Sequence, residues 1–169
     1  MACEIVEGNT INCRDSVGGV KEIYIANFSN VNSTTTTSGV CTDISMAASD
    51  KFYTFQVAKE NATYTNNPIT SVENGSLFWE STLTFTMKKM SASQKNSVKV
   101  LAQSRLMIIV LDNNGVYWLM GETRGVDLTE GSIASGQAFG DLSGSTITFT
   151  GKEVAFDPSF TGSISGITD

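Results

Sequence analysis

Apolar and polar residues alternate in several stretches of the chain, at residues 21–26, 51–57, 77–87 and 144–151. Successive side chains of a strand point to opposite faces of its sheet, so this period of two predicts a strand in each stretch. The longest stretch, 77–87, has mostly apolar residues at its odd positions and mainly Thr at its even positions. It is therefore predicted to pack one face on a core and to turn the other face outward.

A buried hairpin is predicted further along the chain. Residues 106–111 and 116–120 are continuous apolar runs, and between them lie Asn114 and Gly115, a dipeptide typical of tight hairpin turns. Such runs are expected for strands that are covered on both faces. The length of 169 residues fits one domain, so we predict a single, mainly β domain over residues 1–169.

One α-helix is predicted at about residues 92–103. Ser91 and Gln94 match a capping box, in which each residue bonds to the backbone of the other. Val98 and Leu101 follow at helical spacing, which gives the helix one apolar side. We expect this side to pack on the sheet.

The remaining stretches are polar and rich in Gly, Ser, Thr and Asn, which is typical of loops. We predict an N-terminal arm at residues 1–20 with a short strand at about 11–13, and loops at 27–42 and 125–142. A third, long loop is predicted at 58–76, and an extended C-terminal tail at 157–169. A loop as long as 58–76 is uncommon in a compact domain unless it has a function, and we expect it to become ordered on assembly.

Composition argues against catalysis. The chain has no His, which removes the commonest general base and most zinc sites. Its three cysteines, Cys3, Cys13 and Cys41, form no CxxC pair, and we interpret them as small, buried thiols. No cofactor or metal is predicted. The carboxylate pairs Asp127/Glu130 and Glu60/Glu73 have no spacing that would bring them together, so we interpret them as surface charges.

The charge balance limits the possible partners. With 11 Lys+Arg against 17 Asp+Glu, the net charge is -6 and the pI is near 4.6, which is the opposite of a nucleic-acid binding surface. The longest apolar run, 106–111, is far shorter than the roughly 20 residues that span a membrane. No signal peptide is apparent, so we expect synthesis in the cytoplasm. Trp79 and Trp118 are predicted to pack in the core.

Four segments of the chain carry a family resemblance. The first is residues 13–24, CRDSVGGVKEIY, and the second is 87–111, with Arg105 and Leu106 after the helix. The others are residues 117–125, YWLMGETRG, and Gly140 with Asp141 before residues 146–151. These segments resemble structural proteins of tailed bacteriophages that infect Bacteroidetes hosts. The resemblance covers roughly residues 10–155 and implies a tail tube (major tail) protein. Such proteins have a β-sandwich or split barrel with one helix, and they stack hexameric rings into a hollow tube.

On this resemblance, the chain is expected to be a virion protein, made in the host cytoplasm, whose main partner is itself. Tape measure and terminator proteins are further expected partners, and genomic DNA is expected to pass through without specific binding. An acidic lumen would repel phosphate. The residues expected to face the lumen are Glu80, Thr82, Thr84 and Thr86. Those expected to connect rings are Glu60, Asn66, Asn67, Pro68 and Glu73.

Other functions fit the same sequence. A tail terminator, a head-decoration protein or the tube of a contractile tail would share the composition and the strands. A carbohydrate-binding β-sandwich is an alternative from a different class, and exposed Trp or Tyr residues would favour it. An enzyme is disfavoured because the chain has no His and no recognisable nucleophile motif.

Overall fold

The fold is described from a computed structural model, which defines residues 8–9, 14–47, 49–89 and 91–169. These residues are 53% strand and 12% helical, so the fold is mainly β, as predicted. The elements are β1 (Val20–Asn27), β2 (Val31–Thr37), β3 (Val40–Met46), β4 (Tyr53–Gln56), β5 (Ala62–Ser71), β6 (Ser76–Lys88), α1 (Ala92–Gln103), β7 (Leu106–Asp112), β8 (Tyr117–Met120), β9 (Val126–Ala134), β10 (Gly144–Glu153) and β11 (Ser159–Phe160). Two short 3-10 turns, Phe28–Asn30 and Ile164–Gly166, complete the described part.

The strongest local signals are confirmed. β1, β4, β6 and β10 lie where alternation predicted strands, and β7 and β8 pair through the turn at Asn114 and Gly115. Helix α1 has the predicted bounds. The Gln94 N–H donates to Ser91 Oγ at 3.2 Å, and the Ser91 N–H donates to Gln94 Oε1 at 3.2 Å, which completes the capping box.

Strand β7 is the point at which the sheet branches. One edge of β7 pairs with β1 along its whole length, and β4 pairs with the far edge of β1. The other edge of β7 is shared, because Ile108–Leu111 pair with β8 whereas Leu106 pairs with Val126 of β9. One arm of the sheet then runs β8–β11–β3–β2, and the other runs β9–β10–β6–β5.

Two hydrophobic cores lie on opposite faces of the β1–β7 pair. Ile23 and Ile108 face the first core, which β6, β10 and α1 complete with residues such as Phe85, Phe149 and Leu101. The neighbouring residues Tyr24 and Ile109 face the second core. Its other members include Cys41, Phe52, Leu119 and Phe160. Because both faces of β7 are covered, an alternating polar pattern would bury polar side chains, and residues 106–111 of the strand are all apolar.

The prediction of a long loop at 58–76 is wrong. Its greater part is β5, a ten-residue strand that pairs with β6 from Ala62 to Ser71, and the turn between the strands is only 72–75. The segment is therefore ordered within the single chain, which also corrects the prediction that it orders on assembly. Pro68 lies in β5 without disrupting the sheet, because β5 is an edge strand and proline lacks only the N–H.

The loops predicted at 27–42 and 125–142 are also largely strands. The first contains β2 and the start of β3, joined by Ser38 and Gly39, which both have positive φ as a two-residue hairpin turn requires. The second contains β9. These strands have polar sequences, but β2 is an edge strand and β9 is mostly exposed, so neither needs an apolar face throughout.

The C-terminal segment 157–169 is docked on the fold and is not simply the predicted extended tail. Phe160 of β11 is buried in the second core, and β11 pairs with both β3 and β8. The Phe52 N–H donates to the Ile167 carbonyl at 2.7 Å, and the Asp169 N–H donates to the Phe52 carbonyl at 3.0 Å. These bonds hold the C-terminal segment against Phe52, a residue of the second core that lies between β3 and β4 in the sequence.

Part of the predicted N-terminal arm can be compared with the structure. Residues 14–19 have no helix or strand, and β1 begins at Val20. The short strand predicted at 11–13 lies outside the described residues, as do Cys3 and Cys13. Cys41 is buried, and burial raises the pKa of its thiol, as expected for a small core residue.

Truncating Ile108 or Ile109 tests the two cores. Although adjacent, they face different cores, and each is fully buried. We expect Ile108→Ala and Ile109→Ala each to lower the free energy of unfolding by about 2–5 kcal/mol, measured by urea denaturation. Val100→Ala, at a half-exposed site on α1, is the control and should change it by about 0.5 kcal/mol or less. A negligible effect at either isoleucine would contradict burial of both faces.

Candidate functional site

A hydroxyl-rich surface covers the outer face of the β9–β10–β6–β5 arm. Residues paired directly across an antiparallel sheet point to the same face. The predicted lumen residues therefore share one face with their partners on β10 and β5, and we call this surface the threonine face. Its members are Glu80, Thr82, Thr84, Thr86 and Lys88 of β6, Thr146, Thr148, Thr150 and Lys152 of β10, Thr63, Thr65 and Asn67 of β5, and Asp127, Glu130 and Ser132 of β9. The opposite face of β6 and β10 packs in the first core.

Side chains on this face bond to one another across the strands. The hydroxyl oxygens of Thr84 and Thr148 are 3.0 Å apart, and those of Thr86 and Thr146 are 3.1 Å apart. Glu80 forms an ion pair with Lys152 at 3.2 Å, with the Glu80 side chain 34% exposed. The four predicted lumen residues are thus brought together, and the carboxylate among them is partly neutralised. Hydroxyl groups are the commonest polar groups of the face, beside the exposed carboxylates of Asp127 and Glu130.

The residues predicted to connect rings do not form one cluster. Asn67 lies on the threonine face, whereas Asn66 pairs with Ser81 and Pro68 with Trp79, on the core side of the same sheet. Glu60 and Glu73 lie in the turns before and after β5. This division follows from the strand itself, because neighbouring residues of a strand point to opposite faces.

The end of the β5–β6 hairpin projects beyond the rest of the sheet. Pairing of β6 with β10 stops at Trp79, whereas its pairing with β5 continues to the turn. Residues 69–78 therefore pair only with each other, and we call them the hairpin tip. The tip has exposed apolar side chains: Val72 is 94% exposed, Leu77 56% and Ile69 40%.

Both tryptophans line a pocket that the sequence analysis did not predict. This aromatic pocket has a volume of about 330 Å³ and is lined by Tyr64, Asn66, Trp79, Trp118, Phe156 and Asp157. The prediction that Trp79 and Trp118 pack in the core is only partly right: both are half-buried, and Trp118 packs against the first core whereas Trp79 lines the pocket. Trp79 and Phe156 meet edge to face with ring centroids 5.9 Å apart.

Asp157 forms the polar floor of the aromatic pocket. It is only 3% exposed, and its Oδ2 accepts hydrogen bonds from the Tyr64 hydroxyl at 2.6 Å and from Ser81 Oγ at 2.5 Å. Its Oδ1 has no partner among the described residues, and neither has Oδ1 of Asn66. Burial away from water raises the pKa of the Asp157 carboxyl despite these hydrogen bonds.

A second buried carboxylate, Glu153, is fully bonded. Its Oε1 accepts from the backbone N–H groups of Thr123 at 3.0 Å and Arg124 at 2.8 Å, and its Oε2 accepts from the Thr123 hydroxyl. Glu153 thus joins the end of β10 to the turn before β9, and each of its two oxygens has a donor. Asp157 differs, because one of its oxygens has no donor.

Phe156 is held in place by the β2–β3 turn. A Cβ on Gly39 would lie 2.6 Å from Cζ of Phe156, so only glycine leaves room for the ring. Gly39 also has a φ of 79°, which favours glycine. The Ser38-Gly39 dipeptide is a local signal for this turn in the sequence. Phe156, the ring that packs on Gly39, lies 117 positions further along the chain, and no local pattern links the two residues.

Comparison with known proteins gives no match. No protein-family model matches the chain, and neither does any curated protein or solved structure. Within the described ranges, no group of three or more Cys, Asp or Glu side chains is arranged to hold a metal ion. In the same ranges, no helix is long and apolar enough to cross a membrane. The function is therefore argued from the geometry of the surfaces described above.

The raised pKa of Asp157 predicts how pH affects stability. As pH rises above the ordinary value of 3.8, the unfolded carboxyl ionises before the folded one, so the wild type loses stability. Asp157→Asn keeps an acceptor for Tyr64 and Ser81 but carries no charge. We expect its free energy of unfolding to increase relative to wild type between about pH 3.5 and about pH 7, by about 1.4 kcal/mol for each unit of pKa difference.

Urea unfolding at both pH values measures this difference. The charged or titratable groups that face Asp157 are Tyr64 on β5, whose pKa is raised by burial, and Glu153 on β10. Both are present in wild type and variant, so their contributions largely cancel. Asp127→Asn, at an exposed position on β9, is the control for loss of one charge. A difference between wild type and Asp157→Asn that stays constant with pH would contradict the raised pKa.

Proposed function

We propose that this chain is a structural subunit that assembles into stacked, hexameric rings, which form the tail tube of a bacteriophage. The fold type proposed is the β-sandwich or split barrel of tail tube proteins with one helix. The resemblance of residues 10–155 to phage structural proteins suggests this function, and the projecting hairpin tip is the observation that supports it best. The proposed location is the virion tail, and the proposed partners are other copies, the tape measure protein and the terminator.

The hairpin tip supports assembly because it is unfavourable in an isolated subunit. Two strands that pair only with each other are marginally stable in water, and exposed Val72 and Leu77 add apolar surface that a partner could cover. Contact of the tip with a different surface of the next subunit is heterologous, and a heterologous contact that does not close produces an open filament. We assign the tip the contact between rings.

Open strand edges support contacts within a ring. Among the described residues, the outer edges of β2, β4 and β5 have no partner strand. Such edges offer backbone N–H and C=O groups to a neighbouring chain. β5 has ten residues, and β2 has seven, five of them Ser or Thr, so both are long enough to pair with a strand of a neighbouring chain.

The threonine face is proposed to line the lumen. A conduit for DNA needs a surface that binds phosphate weakly, and this face consists mainly of hydroxyl groups together with the carboxylates of Asp127 and Glu130. Its cations are few: Lys152 is paired with Glu80, which reduces its attraction for phosphate, and Lys88 lies at the end of β6. Genomic DNA would then pass along the face without specific binding.

Adding charge at the hairpin tip tests the contact between rings. We expect wild-type protein to form long tubes in negative-stain electron microscopy, and Val72→Asp/Leu77→Asp to form at most single rings, because burying two carboxylates in an apolar contact is unfavourable. Both sites are exposed in the subunit, so its thermal unfolding should change little. Val100→Asp, at a site 51% exposed on α1, is the control and should still form tubes.

Each outcome distinguishes this function from its alternatives. Full-length tubes from the tip variant would contradict the assignment of the ring contact to the tip. Single rings from the wild type would instead favour a tail terminator, and monomers at all concentrations would favour a head-decoration or binding protein. A sheath protein that binds the tubes would indicate a contractile tail.

A cryo-electron microscopy map of the tube tests the lumen assignment. We expect Glu80, Thr82, Thr84 and Thr86 to face the channel, because the other face of β6 is buried in the first core. A map with this face on the outer surface of the tube would contradict the assignment and leave the tip contact untouched.

A further inference from the structure

We propose that the aromatic pocket binds a cationic group, a guanidinium or an ammonium. The inference does not depend on tube assembly. It starts from the hydrogen bonds of the pocket. Most side-chain donors of the pocket are already used, apart from the indole of Trp79 and the second N–H of Asn66: the Tyr64 hydroxyl donates to Asp157 at 2.6 Å, Asn66 Nδ2 to Ser81 at 3.3 Å, and Trp118 Nε1 to Asp112 at 3.2 Å.

The acceptors of the pocket are in excess. Oδ1 of Asp157 and Oδ1 of Asn66 are both buried without a donor among the described residues. Buried polar groups in folded proteins are nearly always bonded, so two such atoms at one site indicate a missing donor. A sugar or another neutral polar ligand brings acceptors as well as donors, whereas guanidinium and ammonium groups bring donors alone.

The walls of the pocket favour the same ligand. Trp79, Trp118 and Phe156 provide aromatic faces, and tryptophan is the side chain that attracts cations best through its π system. None of the six residues that line the pocket is cationic, so the Asp157 carboxylate has no counter-charge from them. A bound cation would supply this charge and the missing N–H donors together.

Oδ1 of Asp157 has almost no contact with solvent, so an entering N–H group can reach it only if the side chains that cover it move. The half-exposed rings of Trp79 and Phe156 form the outer wall, and a shift of Trp79 alters its fluorescence. Binding should therefore change tryptophan emission.

Fluorescence and calorimetric titrations at constant ionic strength test the proposal with matched ligands. N-acetyl-arginine amide carries the guanidinium, and N-acetyl-citrulline amide is its neutral analogue of nearly the same shape. We expect the arginine compound to bind at least about tenfold more tightly. Spermidine tests whether a free polyamine is preferred to a protein side chain, since it carries ammonium groups without a backbone.

Two variants connect the binding to this pocket. Asp157→Asn removes the charge and Trp79→Leu removes an aromatic face, and each should weaken arginine binding by about tenfold. The second variant retains Asp157, so the test does not depend on how well the first folds. Asp127→Asn, at an exposed site on β9 outside the pocket, should bind as the wild type does.

The proposal is overturned if arginine and citrulline compounds bind equally, if neither binds, or if both pocket variants bind normally. Preferential binding of methyl glucoside would also overturn it and would favour the carbohydrate-binding alternative. Tube formation is measured separately, so loss of cation binding with intact tubes would contradict this inference and leave the proposed assembly standing.

Discussion

Burial of both faces of the β1–β7 pair is the constraint on which the rest of the structure depends. Two strands covered on both sides require two cores, and each core requires its own set of covering elements. The first is supplied by β6, β10 and α1, and the second by β3, β11 and the C-terminal segment. β7 can serve both because one of its edges is divided between β8 and β9, so that the sheet continues in two directions from a single strand.

The surfaces proposed for function follow from this arrangement. Since β6 and β10 cover the first core with one face, their other face has to be solvent-compatible, and Thr satisfies that requirement while keeping a high strand propensity. The chain then crosses from the end of β10 to β11 to close the second core. This crossing carries Phe156 and Asp157 past Tyr64 of β5 and Trp79 of β6, which creates the aromatic pocket beside the first core.

Two buried carboxylates near this crossing show how similar residues acquire different chemistry. Glu153 meets two backbone N–H groups and a hydroxyl, so its charge is compensated and its role is to hold a turn. Asp157 meets two hydroxyls at one oxygen, and its other oxygen is buried without a donor among the described residues, so burial raises the pKa of this carboxyl. The difference arises from the partners and not from the residue type, and it directs attention to Asp157 as the reactive feature of the pocket.

The sequence alone determined the elements that have a strong local signal. The capping box defined α1 because it is a contact between residues three apart, and alternation defined β6 and β10 because one face of each meets a core. The polar strands β2, β5 and β9 were missed because they lie at or near edges, where pairing and not burial stabilises them. Only the tertiary structure decided where the aromatic pocket forms, since Tyr64 and Asp157 are 93 positions apart and become neighbours through the crossing from β10 to β11. No local pattern specifies such a contact, because it depends on where two cores place the ends of their strands.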